Sequence, residues 1–266
     1  MKQIKYSLIV FFLLLTSLCS AIDSIEVSSE QLLFETLNLQ DLKFVLDITK
    51  TPVQLTIDLT RLNLAPPYNN ISSLNLSCPD FLLEYATIQC PNGHLKFDGL
   101  LTKLRNSIPF SLSYNILTTE SDLHLKNISL GQSAIALHLR TNNKNWYADI
   151  SSAGLDFKDL KPYIEHFIFK GADYNANIKK ELLNNTKGYL DLNIKASGSK
   201  LSQTAKITAR IKKLEYQYSD NMGENISAHI NVSLSKKANS AQHISINMSH
   251  ITGEFLQNDF YTVPNG

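Results

Sequence analysis

Glycine is scarce and scattered, ten residues in a chain of 266, and nowhere do the glycines gather into a loop that could cradle a phosphate. That argues against nucleotide chemistry. The Gly-x-Ser-x-Gly elbow of α/β-hydrolases does not occur either. Excess charge of one sign is also missing: 25 Lys and Arg stand against 24 Asp and Glu, a formal net charge of +1. The basic residues are dispersed, with Lys179 and Lys180, and Lys236 and Lys237, as short solvated pairs, so no nucleic-acid footprint is present. Cysteine is limited to three residues. Cys78 and Cys90 have only His94 close by in the sequence, too few donors for a structural zinc. No cofactor, metal or catalytic residue is expected, and the chain reads as non-enzymatic.

What is present begins at the N-terminus. Lys2 and Lys5 precede an apolar run over residues 7–18, followed by Cys19, Ser20 and Ala21, the order of a secretory signal. Residues 1–21 are read as a signal peptide cleaved after Ala21, or as a retained membrane anchor. Residues 6–22 fall a little short of the roughly 20 apolar residues a spanning helix needs. Leu18 before Cys19 argues against a lipoprotein. Export leaves Cys78 and Cys90 able to pair in an oxidising compartment, a closure that contributes about 3 kcal/mol. Each is followed by a proline, Pro79 and Pro91, which places both at strand ends or turns.

Residues 22–266 read as one continuous β-region. Apolar and polar residues alternate with period two, the mark of a half-buried strand: Val53, Leu55, Ile57, Leu59; Phe110, Leu112, Tyr114, Ile116; Ile135, Leu137, Leu139. The pattern returns at Ile207, Ala209, Ile211; Leu214, Tyr216, Tyr218; Ile226, Ala228, Ile230, Val232, Leu234; and Ile244, Ile246, Met248. Turn-forming residues such as Pro91, Asn92, Gly93 and Ser219, Asp220, Asn221 lie between, so neighbouring strands are expected to pair as antiparallel hairpins. Helix is scarce. Asp159 could cap a short helix over residues 160–169, with a weaker stretch over residues 178–183. So little helix cannot cover so many one-sided strands, and apolar area left in water costs about 25 cal/mol per Å². A second sheet, closure into a barrel, or a strongly curved trough could supply the cover; composition alone favours sandwich or barrel.

The remaining candidates read as surface. His124, His138, His229 and His243 occupy polar slots of alternating strands, as do Asp41 and Asp47. Asn-x-Ser/Thr sequons at Asn70, Asn75, Asn127, Asn184, Asn225, Asn231 and Asn247 are what half-exposed strands produce in an Asn- and Ser-rich chain, in preference to glycosylation sites. Trp146 and Tyr147 suit either a membrane-interface rim or strand packing.

Three segments carry a family resemblance. Residues 73–99, SLNLSCPDFLLEYATIQCPNGHLKFDG, bring a Cys-Pro at a strand end and a second Cys before a turn. Residues 152–198 lead from a strand through DLKPYIEH to GYLDLNIKASG. Residues 214–261 contain LEYQYSDNMGENISAHINVSL and HISINMSHITGEFLQNDFY. In order and spacing these resemble the YdbH family of bacterial envelope proteins, which are AsmA-like and akin in architecture to TamB. The resemblance implies an all-β, mainly antiparallel fold: an elongated, strongly curved β-sheet trough with one or two short helices near residues 159–184. It implies a periplasmic conduit that moves or shields phospholipids between the inner and outer membranes, with acyl chains and the membranes as partners and a small outer-membrane lipoprotein as a further one. Family members are typically much longer, so the chain would be a fragment or the N-terminal part of a larger groove. The family's "dicarboxylate transport" label finds no supporting Arg or Lys cluster. Expected lining residues are Val53, Leu55, Ile57, Phe110, Leu112, Ile116, Ile135, Leu137, Ile207, Ile230, Val232 and Ile246. The rival from another class is a secreted or surface β-sandwich that binds a protein, such as an adhesin or a chaperone-like module.

Overall fold

The computed structural model describes residues 22–34, 37–63, 71–99, 107–161, 185–199, 201–218, 221–238, 240–255 and 258–261. Sixteen strands form one sheet. In chain order they are β1 (Ser24–Phe34), β2 (Leu37–Asp47), β3 (Gln54–Leu59), β4 (Arg61–Asn63), β5 (Ile71–Cys78), β6 (Leu82–Glu84), β7 (Thr87–Gly99) and β8 (Ile108–Asn115). Then follow β9 (Glu120–Leu130), β10 (Ser133–Thr141), β11 (Asn145–Asp156), β12 (Lys187–Ser199), β13 (Ser202–Tyr218), β14 (Asn221–Lys237), β15 (His243–Phe255) and β16 (Asn258–Tyr261). From β7 onward each strand pairs with the next, and every pair in the sheet is antiparallel.

The all-β expectation holds, and the described strands form neither the sandwich nor the barrel favoured by composition. The strand order runs from β1 to β16 without closing, and the described strands make no second sheet. The accessible surface of 18809 Å² exceeds the roughly 12,000 Å² of a compact monomer of this mass, as befits one layer. Helix is confined, among the described residues, to residues 157–161. Its cap is Asp156, whose Oδ1 accepts the Lys158 N–H at 2.8 Å; Asp159, expected as the cap, lies inside the helical turn. The expected continuation to residue 169 and the stretch over residues 178–183 lie outside the described residues, as do residues 1–21.

Cys78 and Cys90 form a disulfide, with Cα atoms 5.8 Å apart. Cys78 ends β5, as expected. Cys90 does not end a strand, and Pro91, Asn92 and Gly93 do not make a turn: all lie inside β7, at a bulge against β8 between the pairs Cys90↔Leu112 and Gly93↔Phe110. A bulge tolerates proline because its missing N–H would have no ladder partner there. β5 and β6 share the same side of β7, and the disulfide ties the end of β5 to β7 where that partner line breaks. Asp80, in the break, accepts from the Asn92 backbone N–H at 3.3 Å and from its side-chain amide at 2.5 Å.

Phase slips in the alternation are absorbed by bulges. β9 places Lys126 and Asn127 opposite Ala136 alone, with Asn127 at φ 54°. Lys213 (φ 50°) does the same in β13, and Asn225 (φ 51°) and His250 (φ 52°) lie at register breaks between β14 and β15. These left-handed residues cost about 1–2 kcal/mol each in a non-glycine chain, least for Asn. Two of the sequon asparagines, Asn127 and Asn225, are therefore bulge residues. Bulges also increase local twist and bend a strand, which coils a long meander. Three glycines sit directly opposite aromatic residues: Gly93 under Phe110, Gly198 under Trp146 and Gly223 under Tyr216. A Cβ on Gly93 would stand 2.1 Å from the Phe110 ring, so the missing side chain is what lets the ring lie on the sheet.

Asp191 supports another bulge. It accepts the N–H of Gly154 (φ 66°) at 2.9 Å and pairs with Lys212. The Lys212 ammonium beside it holds its carboxyl below the ordinary carboxylate range. A depressed folded-state pKa adds stability above the unfolded value of about 3.9, and that stability is lost as pH falls through the folded value. The urea midpoint of D191N is expected below that of the wild type at pH 7, with the gap closing under about pH 4; a gap constant from pH 7 to 3 would refute the assignment. At Lys213, glycine is expected to leave stability unchanged or raise it by up to about 1 kcal/mol, and valine to lower it by about 1–2 kcal/mol, as read from equilibrium unfolding.

Candidate functional site

Because side chains alternate across a strand, the register decides which residues share a face. Here it aligns apolar residues without interruption. Phe110 pairs with Leu125, Leu125 with Leu137, Leu137 with Ile150, Ile150 with Ile194, Ile194 with Ile207, Ile207 with Val232 and Val232 with Ile246. This row crosses every strand from β8 to β15. A second row runs through Val27, Phe44, Ile57, Leu76, Leu95 and Ile108, and Ile108 and Phe110 lie two residues apart on one side of β8. The two rows are one face.

The opposite face is polar by the same rule. Ser111, His124, His138, Asp149, Lys195, Lys206, Ser233 and Ser245 succeed one another across the same strands. The sheet is thus apolar on one side and hydrophilic on the other along its width.

Burial on the apolar face is uneven. Leu55, Cys78, Cys90 and Phe110 form a buried cluster, with Phe44, Leu46, Ile57, Leu76, Phe81, Leu95, Leu112, Leu123 and Leu125 packed around it. Phe110 is 4% exposed, whereas Ile246 near one edge of the sheet is 64% exposed and Val27 near the other is 58% exposed. Ile244 and Met248 flank Ile246 and are also more than half exposed. Full burial of such a side chain contributes about 1.5–3 kcal/mol, so much of that gain is unrealised at both margins.

Of the expected lining residues, Leu55, Ile57, Phe110, Leu112, Ile135, Leu137, Ile207, Ile230, Val232 and Ile246 fall on this one face. Val53 sits one residue before β3, where its carbonyl accepts the Phe81 N–H at 2.9 Å. Ile116 has left β8 for the following turn. Trp146 lies on the apolar face over Gly198, while Tyr147 points the other way and donates to Asp149 at 3.0 Å.

One group escaped the reading of the histidines as separate surface residues. His124 and His138 face each other across β9 and β10 and stack at 3.7 Å, with Asp122 and Arg140 as the next pair along. Burial pushes the Asp122 carboxyl up, but the Arg140 hydrogen bond and the neighbouring His138 and His124 outweigh it and hold the pKa below the ordinary range. A signal was present in the sequence. Apolar residues fall at 123 and 125, then at 128 and 130, a phase slip that marks the bulge at Asn127; counted from the turn at Gly131, that slip sets His124 against His138.

No protein-family model matches this chain, and no curated protein or solved structure does. No helix among the described residues is long and apolar enough to cross a membrane.

The burial gradient sets an expectation for mutants. Phe110→Ala should cost about 3–5 kcal/mol and Ile246→Ala less than about 1 kcal/mol in urea unfolding of the purified chain. Equal costs would mean that the margin at β15 is covered in solution.

Proposed function

We propose that this chain is a non-enzymatic lipid-conduit module of a Gram-negative cell envelope, which shields or moves phospholipids between the inner and outer membranes along its apolar face. The observation that carries this reading is the uninterrupted apolar row from β8 to β15, with no second sheet among the described strands to cover it. Acyl chains are the natural occupant for such a face. They gain burial from every side chain in the row, need no hydrogen-bond donor, and can slide because no polar residue interrupts the path. The resemblance of residues 73–99, 152–198 and 214–261 to the YdbH family supports the same reading. So does the secretory character of residues 1–21, and the Cys78–Cys90 bond suits an oxidising compartment such as the periplasm. The rival sandwich reading needs a second sheet that the described strands do not make.

The test is direct. The chain is produced in a Gram-negative host, extracted gently and weighed by native mass spectrometry. The expected spectrum shows phospholipid bound to the wild type and little or none on I244D/M248D, whose exposed positions leave the fold intact by circular dichroism. A folded wild-type chain that carries no lipid would sink the proposal.

A further inference from the structure

Independently of the apolar face, we propose that Asp122, His124 and His138 on the polar face form a binding site for one divalent transition-metal ion of the zinc class. The three side chains present their ligand atoms to one point. His124 Nε2 stands 2.8 Å and His138 Nε2 stands 3.1 Å from the same oxygen, Asp122 Oδ1, and the three ligand atoms all lie within 4.8 Å of one another. Atoms that share a tetrahedral zinc at about 2.0–2.2 Å stand about 3.3 Å apart. The two distances to Asp122 therefore need to change by about half an ångström or less. The last torsion of histidine is soft, which lets the stacked rings splay.

Hydrogen bonding within this group leaves one opposed contact, at His138 Nε2. Arg140 Nε, which can only donate, lies 3.0 Å from His138 Nε2 and 2.8 Å from Asp122 Oδ2. His138 Nε2 faces that donor and the Asp122 Oδ1 acceptor at once. A neutral imidazole nitrogen carries either a proton or a lone pair. With a proton it opposes the Arg140 N–H; with a lone pair it opposes the carboxylate. A cation at the convergence point removes the conflict, because both Nε2 lone pairs and Oδ1 then point at positive charge. Arg140 keeps Asp122 Oδ2 as the acceptor of its Nε–H. Two imidazoles and a carboxylate suit zinc, copper(II) or nickel(II) in preference to calcium or magnesium. The open clefts beside Asp122, about 590 and 270 Å³, leave room for water in the remaining coordination positions.

The experiment is a calorimetric titration of the full chain, stripped with EDTA, with zinc chloride at pH 7.5. One ion per chain is expected, together with a rise in melting temperature as zinc is added, since the ion binds the folded state. H124A/H138A and the nearly isosteric D122N should each weaken binding by at least about tenfold. H229A/H250A, which removes another close histidine pair, at 5.1 Å, should bind as the wild type does. Absence of zinc uptake by the wild type overturns the proposal. So does unchanged affinity in D122N or H124A/H138A, or loss of binding in H229A/H250A. Should the double histidine variant fail to fold, D122N decides.

Discussion

The molecule depends on cross-strand register. In a single sheet no second layer can repair an error of pairing, and a slip of one residue would turn a whole strand's apolar side chains into the solvent on the wrong face. The bulges are the devices that prevent this. At Asn127, Lys213 and Asn225 the chain accepts a left-handed residue and an extra step, and beyond each bulge the apolar residues return to the same side. The local cost in backbone strain is smaller than the loss of a strand's worth of burial.

The buried cluster around Phe110 lies in the part of the sheet with additional ties. Around β3 to β9 the Cys78–Cys90 bond ties β5 to β7 at the break between β5 and β6, Asp80 gathers Asn92, and Phe110 lies on Gly93. At β15 the same face is open, with Ile244, Ile246 and Met248 more than half exposed. A tied interior and open margins on one continuous surface suit a path that an apolar ligand can enter from the side. The polar face has its own organisation, with the paired histidines and Asp122 at its centre, and the two faces share no side chain. Lipid contact and metal binding would then be separable properties of the two sides of one sheet.

Much of the fold was legible because period-two alternation is local. The strands around Leu55, Phe110, Leu137, Ile207 and Val232 could be found from neighbours alone, and so could the phase slip at Lys126 and Asn127. Pro91, Asn92 and Gly93 were misleading for a physical reason: the residues that favour a turn also favour a bulge, since both need a missing donor or a missing side chain. The helix cap was displaced from Asp159 to Asp156 because any Asp ahead of a helical pattern can accept the first free N–H, and sequence does not rank them. The histidines looked solitary because His138 lies fourteen positions beyond His124, and their meeting depends on the bulge between them.

By itself, the amino-acid sequence determined that this is a β-protein with one apolar side to each strand, with two cysteines able to pair and with its polar residues on the other side. Those properties follow from side-chain chemistry and a two-residue repeat. Tertiary structure alone decided that the described strands form one open layer and that their apolar sides join into a single face. Each of these depends on hydrogen-bond register between strands, which is a relation between distant segments that no local pattern contains.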